Sequence, residues 1–168
     1  MRSVSLSTCG LVPQMRRFAE ENLPVTLSLS LHAPNDEIRQ KIMPVANAYP
    51  YGEVIAACRN YVEKTGRRVI FEYALIKDVN CDVKQAEELA RRLRGLQCHV
   101  NLIPLNDVKE RNLRAPSRQD VDAFLKRLTL KNIAATVRRE MGADIIIGVD
   151  LSQGRKSYKD INNLADIF

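Results

Sequence analysis

The stretch VTLSLSLHAPND, residues 25–36, decides the fold of this chain. Successive side chains of a β-strand point to opposite faces, so Leu27, Leu29 and Leu31 share one face. The opposite face carries Thr26, Ser28, Ser30 and His32. The stretch therefore predicts a strand with one side in the core and a polar side outside it, and the Pro-Asn-Asp sequence marks the turn that follows.

Short strands alternate with amphipathic helices along the whole chain. Besides the opening stretch, strands are predicted over residues 2–7, 67–76, 98–106 and 134–140. Helices are predicted over residues 13–22, 34–43, 51–66, 82–95 and 117–132, with Pro44 and Gly66 as stop signals. This alternation predicts parallel strands joined by right-handed crossovers, which is an α/β fold, either a barrel or an open sheet.

The faces of the strands favour the barrel. A doubly wound sheet is covered by helices on both sides, so its strands are continuously apolar. Here Glu72 lies between Phe71 and Tyr73, while His99 and Asn101 share the polar face of the fourth strand, as serines do in the first two. These strands predict a (β/α) barrel with helices outside and a polar lumen that holds a ligand.

Ligands of such folds bind where the strands end at their carboxyl side. Those ends are STCG at residues 7–10, SLHAPND at 30–36, FEYALIKDVN at 71–80 and IPLN at 103–106. Hydroxyls, a carboxamide and one imidazole converge there, which indicates a polar binding site and not a metal centre. The residues alone leave alternatives open: His32 could be a capped or solvated loop residue, and Ser7 and Asn106 could serve in ordinary turns.

The composition is typical of one globular domain. The chain has 168 residues, 45% of them hydrophobic, and a net charge of +6, which favours a polyanionic partner such as nucleic acid but is also common among proteins without one. It shows no signal peptide and no apolar run near ~18 residues, which predicts a cytoplasmic protein with no membrane partner. The four cysteines, Cys9, Cys58, Cys81 and Cys98, lack the spacing of a zinc or redox motif, so they are expected to be small apolar residues.

Six segments stand in order between residues 2 and 145: LSTCGLVP, SLSLHAPNDEIR, IMPVANAYP, FEYALIKDVN, CHVNLIPLN and TVRREMGADI. Together they closely resemble the radical S-adenosylmethionine methyltransferases that modify carbon 2 of an adenine in large-subunit ribosomal RNA, and often in transfer RNA. The resemblance implies a partial (β/α)6 barrel, of which this chain carries the last four strand-helix units and a trailing strand. Residues 1–145 would belong to that barrel domain, and residues 146–168 would form a divergent tail.

The resemblance also implies a cofactor site. In the family, the first hydroxyl of the STCG-like motif, the Ser-Leu-His triplet and the asparagine of the IPxN motif bind S-adenosylmethionine. Carried over by position, these residues are Ser7, Ser30, Leu31, His32 and Asn106. The end of the opening stretch is therefore expected to bind the cofactor.

Three features of the family are missing from this sequence. The CxxxCxxC motif that holds a 4Fe-4S cluster and the Gly-Glu motif that grips the amino end of the cofactor are both absent, and both would lie upstream of Met1. The methyl-carrying cysteine of the family is replaced by Val149, which cannot act as a nucleophile. We therefore expect no catalytic residue and no metal ligand in this chain, with the cluster confined to full-length family members.

These observations predict a fragment of a ribosomal RNA adenine-C2 methyltransferase that is inactive alone. The alternative is a non-catalytic truncated homologue that binds a nucleotide-like ligand or RNA.

Ribosomal RNA and transfer RNA are expected to be partners of the parent enzyme. RNA contact is predicted for Arg138 and Arg139, which follow a strand, whereas Arg91 and Arg92 are better explained as a solvated helix face. Without upstream strands the first strand has a bare edge, which predicts self-association.

Overall fold

The computed structural model describes residues 4–109 and 112–138, and within those ranges five strands alternate with helices. The strands are β1 Val4–Thr8, β2 Val25–Ser30, β3 Val69–Leu75, β4 Cys98–Pro104 and β5 Ala135–Val137. The α-helices are α1 Val12–Glu21, α2 Asp36–Ile42, α3 Tyr51–Thr65, α4 Val83–Leu93 and α5 Arg118–Leu130, and a short 3-10 helix, Pro44–Asn47, follows α2. These bounds match the predicted elements closely, apart from a shorter last strand.

All neighbouring strands are parallel, and their order in the sheet is β1-β2-β3-β4-β5. An order that follows the chain is typical of (β/α) barrels, whereas doubly wound sheets reverse their order at a switch point. The α/β prediction is confirmed, and the sheet is open over the described residues, with β1 and β5 as its two edges.

The two faces of the sheet differ as the sequence predicts. Leu27, Phe71 and Val100 are fully buried in a core that also takes residues from the helices, including Phe18 of α1 and Phe124 of α5. The opposite face carries a polar row that crosses four strands in register, formed by Ser30, Glu72, Asn101 and Thr136. The helices of the described ranges therefore cover one side of the sheet, and none of them covers the polar side.

Local signals explain most of the helix ends. Helix α3 ends at Gly66, whose φ of 64° lies in the left-handed region that glycine adopts without strain. Helix α5 begins with a capping box in which Ser117 and Asp120 satisfy each other's free amides. Pro44 ends α2 as predicted and opens the 3-10 helix.

Several sequence-based predictions fall on residues that the structure does not describe. They are Arg139, Val149 and the boundary between residues 145 and 146, all outside the described ranges. None of the helices in the described ranges is long and apolar enough to cross a membrane.

Candidate functional site

The predicted site residues lie along the carboxyl edge of the sheet. Ser7 lies near the end of β1 and is exposed, and Asn106 follows the end of β4 and is also exposed. Between them, Ser30, Leu31 and His32 form the end of β2 and its continuation, which is half-buried to fully buried. In the described part of the chain, no hydrogen bond joins Ser7 or Asn106 to this central segment. The structure therefore places all five predicted residues at one edge of the sheet, but only Ser30, Leu31 and His32 are next to one another.

Leu31 contributes to the site by shaping the backbone. Its side chain is fully buried in the core. Its amide donates to the carbonyl of Glu72 at 3.0 Å, and its carbonyl accepts from Nε of Arg39 at 3.2 Å. Because both polar backbone groups are engaged, Leu31 fixes the path of the strand end and offers no free polar group to a ligand.

His32 is held in one conformation and one tautomer. Its φ of 57° is left-handed, and its Nδ1 accepts a hydrogen bond of 2.9 Å from the amide of Ala74. Since Nδ1 is the acceptor, the proton of the neutral ring lies on Nε2. Burial, followed by the charge of Arg39, lowers the pKa of His32 to about 4. The ring is therefore neutral at pH 7 and can donate a hydrogen bond from Nε2, for which the described residues provide no acceptor.

Asn80 ties the loop after β2 to the end of β3. It is fully buried, and its Nδ2 donates to the carbonyls of His32 at 2.7 Å and Ala74 at 2.6 Å. Its Oδ1 accepts from the amide of Ile76 at 2.7 Å. One carboxamide thus satisfies three backbone groups that burial would otherwise leave unpaired.

Arg39 joins the ends of β1 and β2. Its side chain is fully buried, and its Nη2 donates to the carbonyls of Cys9 at 2.6 Å and Ser30 at 3.3 Å. Burial lowers the pKa of this guanidinium, although nearby groups oppose the shift. Gly10 is required beside it, because its φ is 102° and a Cβ there would lie 3.0 Å from Nη2 of Arg39.

Arg39 and Asn80 are not among the residues predicted from the sequence. Asn80 ends the FEYALIKDVN segment, but nothing local marks it as buried. For Arg39 a weak signal exists, since it lies between Ile38 and Ile42 in α2, where the helix turns an apolar side to the protein. An arginine on that side of a helix needs backbone acceptors, and the strand ends provide them.

A second polar cluster lies on the polar face of the sheet, which the helices of the described ranges leave uncovered. Oε1 of Glu72 accepts hydrogen bonds from Oγ of Ser28 at 3.4 Å and Nδ2 of Asn101 at 3.1 Å. Thr136 donates to Oδ1 of Asn101 at 3.3 Å. Arg138 places its Nη1 3.8 Å from Oε2 of Glu72 while 58% of its side chain remains exposed. Arg138 therefore lies on the polar face beside a carboxylate.

The basic residues of α4 are placed differently. Arg91 and Arg92 are exposed, and both pair with Glu88, at 3.8 and 3.4 Å. The guanidinium of Arg92 also lies 5.7 Å from the ring centroid of Tyr51. These contacts place both arginines on the outer helical layer.

The cysteines do not fit an iron-sulfur cluster. All four lie in the described ranges as free thiols: Cys58 and Cys81 are buried, and Cys9 and Cys98 are partly buried. Burial raises the pKa of every one of them, to about 12 for Cys58 and about 11 for Cys98. Cluster ligands are closely grouped thiolates. Among the described residues, no three His, Cys, Asp or Glu side chains are grouped so that they could hold a metal ion.

Comparison with known proteins identifies relatives at high identity. No protein-family profile matches the chain. It is 48% identical over 157 residues to a probable dual-specificity RNA methyltransferase RlmN of Clostridium perfringens, an alignment that covers 94% of this chain and 45% of the relative. A solved radical SAM methyltransferase from Sphaerobacter thermophilus superposes with a TM-score of 0.80 at 52% identity, over 84% of this chain and 41% of that one.

A domain of pyruvate-formate lyase-activating enzyme from Bacteroides vulgatus shares the fold, with a TM-score of 0.67 at 20% identity, over 82% of this chain and 81% of that one. The chain spans less than half the length of the RlmN relative described above. Its identity to that relative extends over nearly all of its own length, and its fold matches the solved methyltransferase. The chain therefore belongs to the family of radical SAM methyltransferases that includes RlmN.

Proposed function

We propose that this chain provides the part of a radical SAM RNA methyltransferase that binds S-adenosylmethionine and faces the target adenine. The observation that carries the proposal is the braced end of β2, where Arg39 and Asn80 hold residues 30–32 in a fixed conformation. A buried polar network of this kind rigidifies the groups that it holds, which is what a binding site needs.

The polar groups along the edge fit an adenosyl ligand. Donors come from Nε2 of His32 and the hydroxyls of Ser7 and Ser30, and Asn106 offers both a donor and an acceptor. When bound in a complete enzyme, S-adenosylmethionine supplies the methyl group for carbon 2 of an adenine in ribosomal or transfer RNA. The residues of this chain bind and orient it. The four cysteines of this chain do not fit the 4Fe-4S cluster of the full-length family, so we assign this chain no step that depends on the cluster.

The chain alone is proposed to be inactive and to work in the cytoplasm as part of a larger catalytic unit. The second candidate function, a homologue that binds a nucleotide-like ligand or RNA without chemistry, is favoured by Val149, which stands where the family has its methyl-carrying cysteine. Both candidates require ligand binding, and only the first requires that methyl transfer appear once the upstream part and the methyl-carrying cysteine are both supplied.

Equilibrium dialysis of the chain with methyl-labelled S-adenosylmethionine tests the proposal. We expect saturable binding that S-adenosylhomocysteine displaces and guanosine triphosphate does not. The chain alone should transfer no label to ribosomal RNA. Transfer should appear when the upstream part of an RlmN relative is added to the Val149→Cys variant, in which the methyl-carrying cysteine of the family is restored. Binding without any transfer in that mixture would favour the non-catalytic homologue, and absence of saturable binding would contradict the proposed site.

RNA contact is proposed for Arg138 and Arg139. Exposure and position on the polar face support the role of Arg138. Charge removal there should weaken binding of a ribosomal RNA fragment and lower the slope of log affinity against log salt by about one per charge. The matched control is Arg91→Gln on α4, where a solvated arginine should change neither quantity. An unchanged salt slope in Arg138→Gln would remove that residue from the interface.

Self-association is proposed through the free edge of β1. Among the described residues β1 pairs only with β2, and Val4 on it is 56% exposed. An unpaired strand edge is a template for pairing with another chain. Light scattering should therefore give a mass that rises with concentration, and Val4→Lys should reduce the rise. A constant monomer mass would contradict this proposal.

A further inference from the structure

The carboxylate of Glu72 is satisfied on one side only. Its Oε1 has two donors, Ser28 and Asn101. Its Oε2 is buried, and residues 4–109 and 112–138 supply it with no hydrogen bond. The nearest cation, Nη1 of Arg138, is 3.8 Å away, which is close enough for charge attraction but too far for a hydrogen bond.

An acceptor of this kind is costly unless something donates to it. A buried carboxylate oxygen without a donor loses its hydration and gains nothing in return. Proteins keep few such groups, and those that they keep call for a specific explanation. Glu72 lies in the middle of β3 with 18% of its side chain exposed, but Oε2 itself is buried. A ligand hydroxyl can therefore reach Oε2 only when a neighbouring side chain on the polar face moves aside, and Arg138, which is 58% exposed, is the charged neighbour of that oxygen.

Glu72 is also tied directly to the proposed cofactor segment. Its backbone carbonyl accepts hydrogen bonds from the amides of Leu31 at 3.0 Å and His32 at 3.3 Å. Ser30 is its register partner on β2. A ligand that contacts residues 30–32 is therefore one strand away from a carboxylate with an unused acceptor.

The donor that suits this acceptor is a hydroxyl of ribose. In dinucleotide-binding folds, an Asp or Glu of the parallel sheet accepts a hydrogen bond from a ribose hydroxyl of the nucleotide. We propose that Oε2 of Glu72 accepts a hydrogen bond from a ribose hydroxyl of S-adenosylmethionine, which makes Glu72 a specificity-determining residue. This inference rests on the proposed function and extends its binding site from β2 to β3. A ribose hydroxyl of RNA offers the same chemistry, but the bonds from Leu31 and His32 to Glu72 favour the cofactor.

A cycle that changes both protein and ligand tests the proposal. The chain and its Glu72→Gln variant are each titrated with S-adenosylmethionine and with its 2′-deoxy and 3′-deoxy analogues. In the unaltered chain, loss of the contacted hydroxyl should weaken binding about tenfold, which is typical of a hydrogen bond to a charged group. Glu72→Gln should weaken binding of the intact ligand by a similar factor. The deoxy analogue that lacks the contacted hydroxyl should bind equally well to both proteins.

The outcomes separate this inference from the proposed function. Absence of saturable binding to the unaltered chain overturns both. If Glu72→Gln and the removal of a hydroxyl weaken binding independently for both analogues, Glu72 does not contact the ribose. That outcome overturns the role of Glu72 but not the proposed cofactor site. A loss on Glu72→Gln that affects only an RNA fragment also overturns the inference, because the hydroxyl would then be that of RNA.

Two controls exclude a purely structural effect. Circular dichroism and a urea melt establish that Glu72→Gln keeps its fold, which is expected because Gln has the same shape. Arg138→Gln removes the neighbouring charge without touching Oε2. If Glu72 served only to pair with Arg138, the two variants would lose the same affinity and the deoxy analogues would show no coupling to residue 72, which would overturn the proposal.

Discussion

The carboxyl ends of β2 and β4 both carry proposed cofactor residues, yet they are built in opposite ways. At the end of β2, His32 is 5% exposed, and Arg39 and Asn80 beneath it are fully buried. At the end of β4, the amide of Leu105 still bonds to β3, but Asn106 beyond it is exposed and has no hydrogen bond among the described residues. Hydrogen bonds within the protein therefore fix the end of β2 without a ligand, whereas the side chain of Asn106 at the end of β4 remains available for one.

This contrast has a consequence for substitutions. Changes at the end of β2 should lower the stability of the whole domain, because they leave buried groups unpaired. Changes at the end of β4 should affect ligand binding alone.

The largest effect is expected for Arg39→Met. Methionine fills much of the same volume, but the carbonyls of Cys9, Ser30 and Leu31 lose their donor. We expect the free energy of unfolding to fall by about 4 kcal/mol, measured by urea denaturation. Arg91→Met, on the exposed side of α4, is the matched control and should change it by less than about 0.5 kcal/mol. Equal effects of the two changes would show that the buried arginine does not brace the strand ends.

Asn80 should be the next most sensitive position. Asn80→Ala leaves the carbonyls of His32 and Ala74 and the amide of Ile76 without a partner, so the free energy of unfolding should fall by about 3 kcal/mol. Asn80→Asp keeps the acceptor but turns a carboxylate oxygen towards two carbonyls. It should be at least as destabilising at neutral pH and should recover in acid. An Asp variant as stable as the unaltered protein would contradict the assigned hydrogen bonds.

His32 should make the stability of the protein depend on pH. Its pKa is lowered to about 4 from an ordinary value of 6.5, so between these values the unfolded chain binds a proton that the folded chain does not. Its contribution to stability is therefore complete above pH 6.5 and is lost as the pH falls. Between pH 7 and pH 5 the loss should be about 2 kcal/mol, measured by urea melts.

His32→Asn isolates this effect. Asparagine tolerates the left-handed backbone, and its Oδ1 can replace Nδ1 as the acceptor for Ala74, but it does not titrate. The variant should lose most of the pH slope. The matched control is His99→Asn, at the other histidine, whose pKa is lowered mainly by partial burial. If His99→Asn removed most of the slope and His32→Asn little, the titrating group would be on the polar face and not at the end of β2.

The fold could be predicted because its determinants are local. Alternation in residues 25–31 marks β2, Gly66 marks the end of α3, and Pro44 marks the end of α2. Each signal depends on the conformation of a few neighbouring residues. The openness of the sheet could not be read in this way, because closure depends on which strand pairs with the edges of β1 and β5.

The site was predicted only in part, and the reason is again physical. Ser7, Ser30 and Asn106 could be predicted to lie at strand ends because those ends can be located from the pattern, and the resemblance proposes a role for them. Arg39 and Asn80 were missed because their partners lie far along the chain: Arg39 meets Cys9 from 30 positions away, and Asn80 meets His32 from 48. A single polar residue that is buried by contacts far along the chain leaves no hydrophobic periodicity in the local sequence, so the pattern cannot reveal it.

The smallest effect on stability is expected for Asn106→Ala. Because Asn106 is exposed and makes no hydrogen bond within the described ranges, the free energy of unfolding should change by no more than about 0.5 kcal/mol. Its affinity for S-adenosylmethionine should nevertheless fall about tenfold, since the proposed contact is lost. Asn47→Ala, at another exposed asparagine, should change neither quantity. A loss of stability as large as that of Asn80→Ala would mean that the end of β4 is braced as well, and an unchanged affinity would remove Asn106 from the site. Only a loss of affinity without a loss of stability agrees with a β4 end at which the ligand, and not the protein, fixes the side chain of Asn106.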